Sequence, residues 1–215
     1  MKLQKVGGFA SIIAVCVLIA WAPLLFVAVR HGIPSGNAFT PERMMAMDVA
    51  STVAYHLLSL CETLYGAMLL LVALALQERM RTSAPNLMRL AVIAASVGVA
   101  FSLAHGTINS CGYALLANTK DLSAYRAWAV MLTSFSYALN YAASGVFLLM
   151  GWAALRTRAL SLVLSSIILV CGILTVPQVK AGLFLHNLYG LLSIAGLLWL
   201  GIVLLRKSKP IPART

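Results

Sequence analysis

Residues 49–76, VASTVAYHLLSLCETLYGAMLLLVALAL, form an uninterrupted apolar run of 28 residues that holds a single carboxylate, Glu62, and a single imidazole, His56. As a helix rising 1.5 Å per residue, the run is about 42 Å long, more than the ~30 Å of a bilayer's hydrocarbon core. An apolar run of this length is a membrane span. Lipid offers the backbone no hydrogen-bond partners, so a spanning segment is either a helix or part of a closed barrel. Barrel strands show about ten residues of alternation, and this run shows none. The span is therefore helical.

Five more runs of the same character flank it: Val6 to Val29, Leu87 to Ala114, Trp128 to Leu155, Leu160 to Val176 and Leu183 to Leu205. They account for the 61% hydrophobic and 10% charged composition of the 215-residue chain. The expected fold is an all-α polytopic transmembrane bundle of six helices in three antiparallel hairpins, a single domain over residues 1–215. Short turns at Arg156 to Arg158 and Pro177 to Gly182 join neighbouring helices. Lys2 and Lys5 before an apolar run, with Ala20-Trp21-Ala22 behind it, have the look of a signal peptide. The run is too long for one, and Pro23 would occupy the first mature position, so it is taken as the first span.

Charge sets the expected orientation. With the N-terminus inside, eleven of the 16 basic residues fall on the inner side (Lys2, Lys5, Arg79, Arg81, Arg89, Arg156, Arg158, Arg206, Lys207, Lys209 and Arg214). Arg30, Arg43, Lys120, Arg126 and Lys180 fall outside. The positive-inside rule then places both termini in the cytoplasm. The net charge of +11 is a topology signal and an attraction to anionic inner-leaflet lipid. No basic helix face with interleaved aromatics lies in a soluble segment, so nucleic acid is not an expected partner. The expected partners are the lipid bilayer, a small-molecule ligand and other membrane subunits. In the outer segment, Thr40-Pro41-Glu42 has the pattern of an N-cap, a first helical residue and a dipole-compensating acid, which starts the second helix ahead of the bilayer.

Function would reside in the polar residues of the spans, since an ionisable group inside a membrane needs a partner or a task. The second span carries Tyr55, His56, Ser59, Glu62 and Thr63. The third carries Ser102, His105 and Asn109 after the small-residue ladder Ala94, Gly98 and Ser102. Asn140 and Ser144 follow on the fourth, and His186, Tyr189 and Ser193 on the sixth. His56, His105 and His186 lie at similar expected depths and are the candidate metal ligands. Glu62, Tyr55, Asn109, Asn140 and Tyr189 are the candidate ligand-binding or proton-relay residues. Glu62 is near mid-depth, where a free carboxylate is costly, and Tyr55, Ser59, Asn109 and Asn140 are its expected hydrogen-bond partners. His56 and Glu62 are about 120° apart around the helix and about 9 Å apart along it, so they line one cavity at two depths instead of sharing a ligand.

Local motifs exclude several classes. No His-Glu-x-x-His, Gly-x-Ser-x-Gly or Walker loop is present, which leaves metalloprotease, serine hydrolase and ATPase readings without support. A metal ion or haem held by histidines on facing helices stays geometrically open, although no specific motif indicates either cofactor. Cys16, Cys61, Cys111 and Cys171 are widely spaced and read as small buried hydrophobes. The expected function is an integral membrane protein whose outward-facing His/Glu-lined cavity binds a small ligand, metal or proton, as carrier, sensor or accessory subunit. The alternative is an intramembrane enzyme, a haem or metal oxidoreductase or a metal-dependent hydrolase, using His56, His105 and His186.

The closing stretch Gly196 to Lys207 (GLLWLGIVLLRK), with the Gly151 to Arg158 turn ahead of the fifth span, resembles compact six-span bacterial integral membrane proteins of unknown function. The resemblance covers about the last third of the chain and implies a multi-pass protein of the bacterial inner membrane. It carries no catalytic residues.

Overall fold

A computed structural model of the chain describes residues 2–30, 49–116, 121–176 and 183–206. These form six helices: α1 (Lys2–Arg30), α2 (Val49–Arg79), α3 (Pro85–Leu116), α4 (Leu122–Thr157), α5 (Leu162–Thr175) and α6 (Leu183–Leu205). No strand occurs among the described residues. Five of the helices are long and apolar enough to cross a membrane. The exception is α5, whose 14 residues rise only about 21 Å. It is shorter than its apolar run because Arg158 adopts a left-handed conformation that ends α4, and Ser161 then caps α5 through Leu164 N.

The helix starts follow local chemistry. Pro85 opens α3 at a position where its missing N–H costs nothing. Helix α4 begins six residues earlier than the apolar run at Trp128, because Asp121 caps it. The Asp121 carboxylate accepts from Ser123 N at 2.8 Å and Ser123 Oγ at 2.7 Å. These bonds, with a further one from Ala124 N, hold the Asp121 carboxyl below its ordinary pKa, the Ser123 hydroxyl contributing most. Helix α1 continues through Pro23. The expected helix start at Thr40 to Glu42, the turn at Pro177 to Gly182 and the tail after Arg206 lie outside the described residues.

The helices close into a ring in chain order, each packed on its neighbours, with α6 returning to α1 and a slight contact between α2 and α4 across the middle. Every adjacent pair is antiparallel. On α1 and α6, Gly8 meets Leu205 while Ser11 Oγ donates to Leu197 O at 2.6 Å. On α3 and α4, Gly98 meets Ala142 while Gly112 meets Trp128. The first turns of α1 and the last turns of α6 consequently share one end of the bundle, and the basic turns at Arg79 to Arg89 and Arg156 to Arg158 share it with them. Close approach depends on small residues. A Cβ on Gly151 of α4 would stand 2.7 Å from Leu169 N of α5, so only glycine lets the two backbones meet there.

Two apolar cores fill the ring. The larger occupies the basic end and includes Val72, Leu76, Met80, Met88, Phe147, Met150, Leu164 and Leu200. The smaller, at the opposite end, is Ala54, Leu58, Tyr125, Trp128 and Leu132, with Trp21 and Leu24 of α1 against it. Between them lies the polar level.

Candidate functional site

Helices α2 and α3 meet along a seam of small and polar residues, and the seam is built rung by rung. At its deepest rung, toward the basic end, Ser102 Oγ would lie 2.8 Å from a Cβ placed on Gly66. One turn further, Gly106 faces Thr63, whose hydroxyl would lie 2.9 Å from a Cβ on that glycine. Thr63 Oγ1 lies 3.0 Å from Ser59 O on its own helix and 3.3 Å from Ser102 O across the seam, so its one O–H serves both carbonyls. Next, Asn109 Nδ2 donates to Ser59 Oγ. The outermost rung is His56 Nδ1 and Ser110 Oγ, 3.2 Å apart. Two glycines and four hydroxyl residues bring the backbones close enough for these contacts to form. Ser59, Ser102 and Asn109 are at most 5% exposed, so the centre of the seam is closed.

Beside this centre a carboxylate meets an imidazole. His105 Nδ1 stands 3.0 Å from Glu62 Oε2, with the imidazole 12% and the carboxylate side chain 32% exposed. The two atoms are close without meeting hydrogen-bond geometry. The direction of Glu62 is set by the helix. Val53, Leu57, Leu60 and Leu64 are the exposed apolar side chains of α2, and at 100° per residue Glu62 lies about 140–180° around the helix from all four. Glu62 therefore points toward the bundle, away from the lipid face. His56 lies only about 40–100° from the same four residues, on the lipid-side margin of the seam.

The candidates named from sequence thus fall into separate groups. Glu62 is paired with His105. Asn109 pairs with Ser59, and its Oδ1 is buried without a donor among the described residues. His56 leaves the seam on the other side and meets Ser110. Asn140 Nδ2 donates to Ser136 O of its own helix at 2.8 Å. Tyr189 packs against the larger core beside Tyr65, whose hydroxyl is buried with no hydrogen-bond partner among the described residues. Tyr55 and His186 lie on α2 and α6, but their side chains are outside the described residues. Among the described residues, no three His, Cys, Asp or Glu side chains gather as a metal ion would require. All four cysteines are free thiols, and only Cys171 is buried.

Glu62 finds its contact in His105, while Ser59 and Asn109, two of its expected partners, are bonded to each other. The antiparallel pairing decides this, because placing Gly66 against Ser102 leaves Glu62 level with His105. Sequence reading passed over Ser110 and Tyr65. Ser110 follows Asn109 directly, and Tyr65 lies three residues after Glu62, so each had a positional signal without a chemical one.

No family model, no curated protein and no solved structure matches this chain.

Proposed function

We propose that this chain is a multi-pass membrane protein that binds and releases a proton at the Glu62–His105 pair, as a carrier, sensor or accessory subunit. The observation that carries the reading is the 3.0 Å contact between a carboxylate and an imidazole on the bundle-facing side of α2, inside a span. Ionisable groups at such depth are costly, and a carboxylate beside an imidazole can hold one proton in alternative places at small cost. The opposite directions taken by His56 and His105 favour a proton over a metal ion shared by the histidines. The basic residues support the proposed orientation, in which the end holding Arg79, Arg89 and Arg156 and both chain termini face the cytoplasm of a bacterial cell.

The test is infrared difference spectroscopy on purified protein in lipid. A protonated-carboxyl band that titrates with pH and disappears in Glu62→Gln supports the reading. A titration identical in the unmodified protein and Glu62→Gln defeats it. Metal and haem analysis with an optical spectrum separates it from the enzyme alternative in which His56, His105 and His186 hold a metal or haem.

A further inference from the structure

We infer that Arg79, the last residue of α2, holds a phosphate group at the basic end of the bundle, carried by an anionic phospholipid or by soluble phosphate. Two of its guanidinium nitrogens, Nε and Nη1, are buried and have no hydrogen-bond partner among the described residues. Every other Lys or Arg whose side chain is described is exposed. The packing of α2 explains the difference. Ala75, one turn earlier, meets Gly7 of α1, and Leu76 is fully buried in the larger core. At 100° per residue, Arg79 leaves the helix about 40° from Ala75 and about 60° from Leu76, between the two. Its stem is therefore drawn into the angle between α1 and the core. A guanidinium held there without an acceptor is costly.

Among the described residues, no group supplies that acceptor. An arginine in a last helical turn ordinarily bonds the final carbonyls, but the turn into α3 takes those of Leu76, Glu78 and Met80 for its own N–H groups. Of the acids, Glu62 lies about 26 Å back along α2, and Asp121 caps α4 at the opposite end. Glu78 is exposed and leaves α2 about 100° from Arg79. The first turn of α1, level with Arg79 by the Gly7–Ala75 register, holds no acid, and neither does the stretch 207–215, KSKPIPART. The acceptor thus comes from outside the chain, and the exposed Lys2, Lys5 and Arg81 make it an anion. Phosphate suits a guanidinium, whose parallel N–H groups meet two of its oxygens at once. Depth brings phospholipid phosphates to this level. Arg79 closes an apolar span, and Trp152 and Trp199, 55% and 39% exposed, stand at the same end as an interfacial aromatic belt does. Arg79 is itself partly exposed, so a turn of its flexible stem presents the fork to such a phosphate.

The experiment titrates delipidated protein, in micelles of a non-ionic, phosphate-free detergent, with dioleoyl phosphatidylglycerol or with inorganic phosphate. Native mass spectrometry follows bound lipid, and thermal unfolding follows both probes. Arg79→Gln should weaken phosphatidylglycerol binding about tenfold or more, the low end for losing one charge-assisted hydrogen bond. Arg81→Gln removes the same charge from an exposed position and should weaken it less than about twofold. Arg79→Lys keeps the charge without the fork and should also bind more weakly than the unmodified protein, which preserves the comparison if Arg79→Gln loses its helix content. Stabilisation by inorganic phosphate that disappears in Arg79→Gln supports a site for soluble phosphate, whereas stabilisation by phosphatidylglycerol alone supports the lipid headgroup. Equal weakening in Arg79→Gln and Arg81→Gln overturns the inference, because the attraction would then belong to the whole basic end. Binding of neither probe, or lipid binding unchanged in both Arg79 variants, overturns it as well.

Discussion

A double-mutant cycle at Glu62 and His105 measures the interaction on which the functional reading depends. Two unit charges 3.0 Å apart attract by about 5–6 kcal/mol at an effective dielectric of 20. Much of this is offset by the cost of taking both groups out of water. Polar pairs between membrane helices have measured couplings averaging about 0.6 and reaching about 1.7 kcal/mol. The 32% exposure of the Glu62 side chain adds screening, and together these place the expected coupling at about 1–2 kcal/mol. The variants are Glu62→Gln, His105→Gln and the double substitution, with reversible unfolding in mixed micelles as the assay. A coupling below about 0.3 kcal/mol, within ordinary additivity error, would refute the pair as an interaction.

Other positions give further expectations. Gly151→Ala should destabilise the α4–α5 contact, since its Cβ would fall 2.7 Å from Leu169 N, whereas Gly145→Ala on the same helix has nothing nearer than 3.7 Å and should be tolerated; thermal unfolding of the two variants distinguishes them. Asn109→Leu loses one interhelical hydrogen bond of about 1 kcal/mol but also removes the buried, unpaired Oδ1, whose desolvation costs about 1–3 kcal/mol. It should therefore leave unfolding stability equal or higher, and a marked loss would show that Asn109 is a structural clamp. Asp121→Ala should fray the first turn of α4, seen as faster amide hydrogen exchange at Ser123 and Ala124. Because the folded pKa of Asp121 is depressed, its stabilisation is full above the unfolded value near 3.9 and fades as pH falls through the lower folded value, so the exchange difference should vanish in strong acid.

Much of the fold was legible in the chain because lipid imposes a simple requirement: a helix must keep about 20 apolar residues together, and that signal is local. The six helices and their approximate limits follow from it. Limits set by single side chains were less visible. Asp121 extends α4 beyond its apolar run, and Arg158 with Ser161 shortens α5, because a cap depends on one or two dihedral angles that composition does not encode.

At the site, sequence alone identified Glu62 as a group needing a partner, since depth and charge are properties of one helix. Which partner it met was a matter between helices. That choice was made by tertiary structure, through the close approach that Gly66 and Gly106 allow and the register it imposes. The same approach sends His56 to Ser110 and Glu62 to His105, on opposite sides of one seam. A helix determines at what depth and azimuth a side chain leaves it; only the packing of a second helix determines what stands there to receive it.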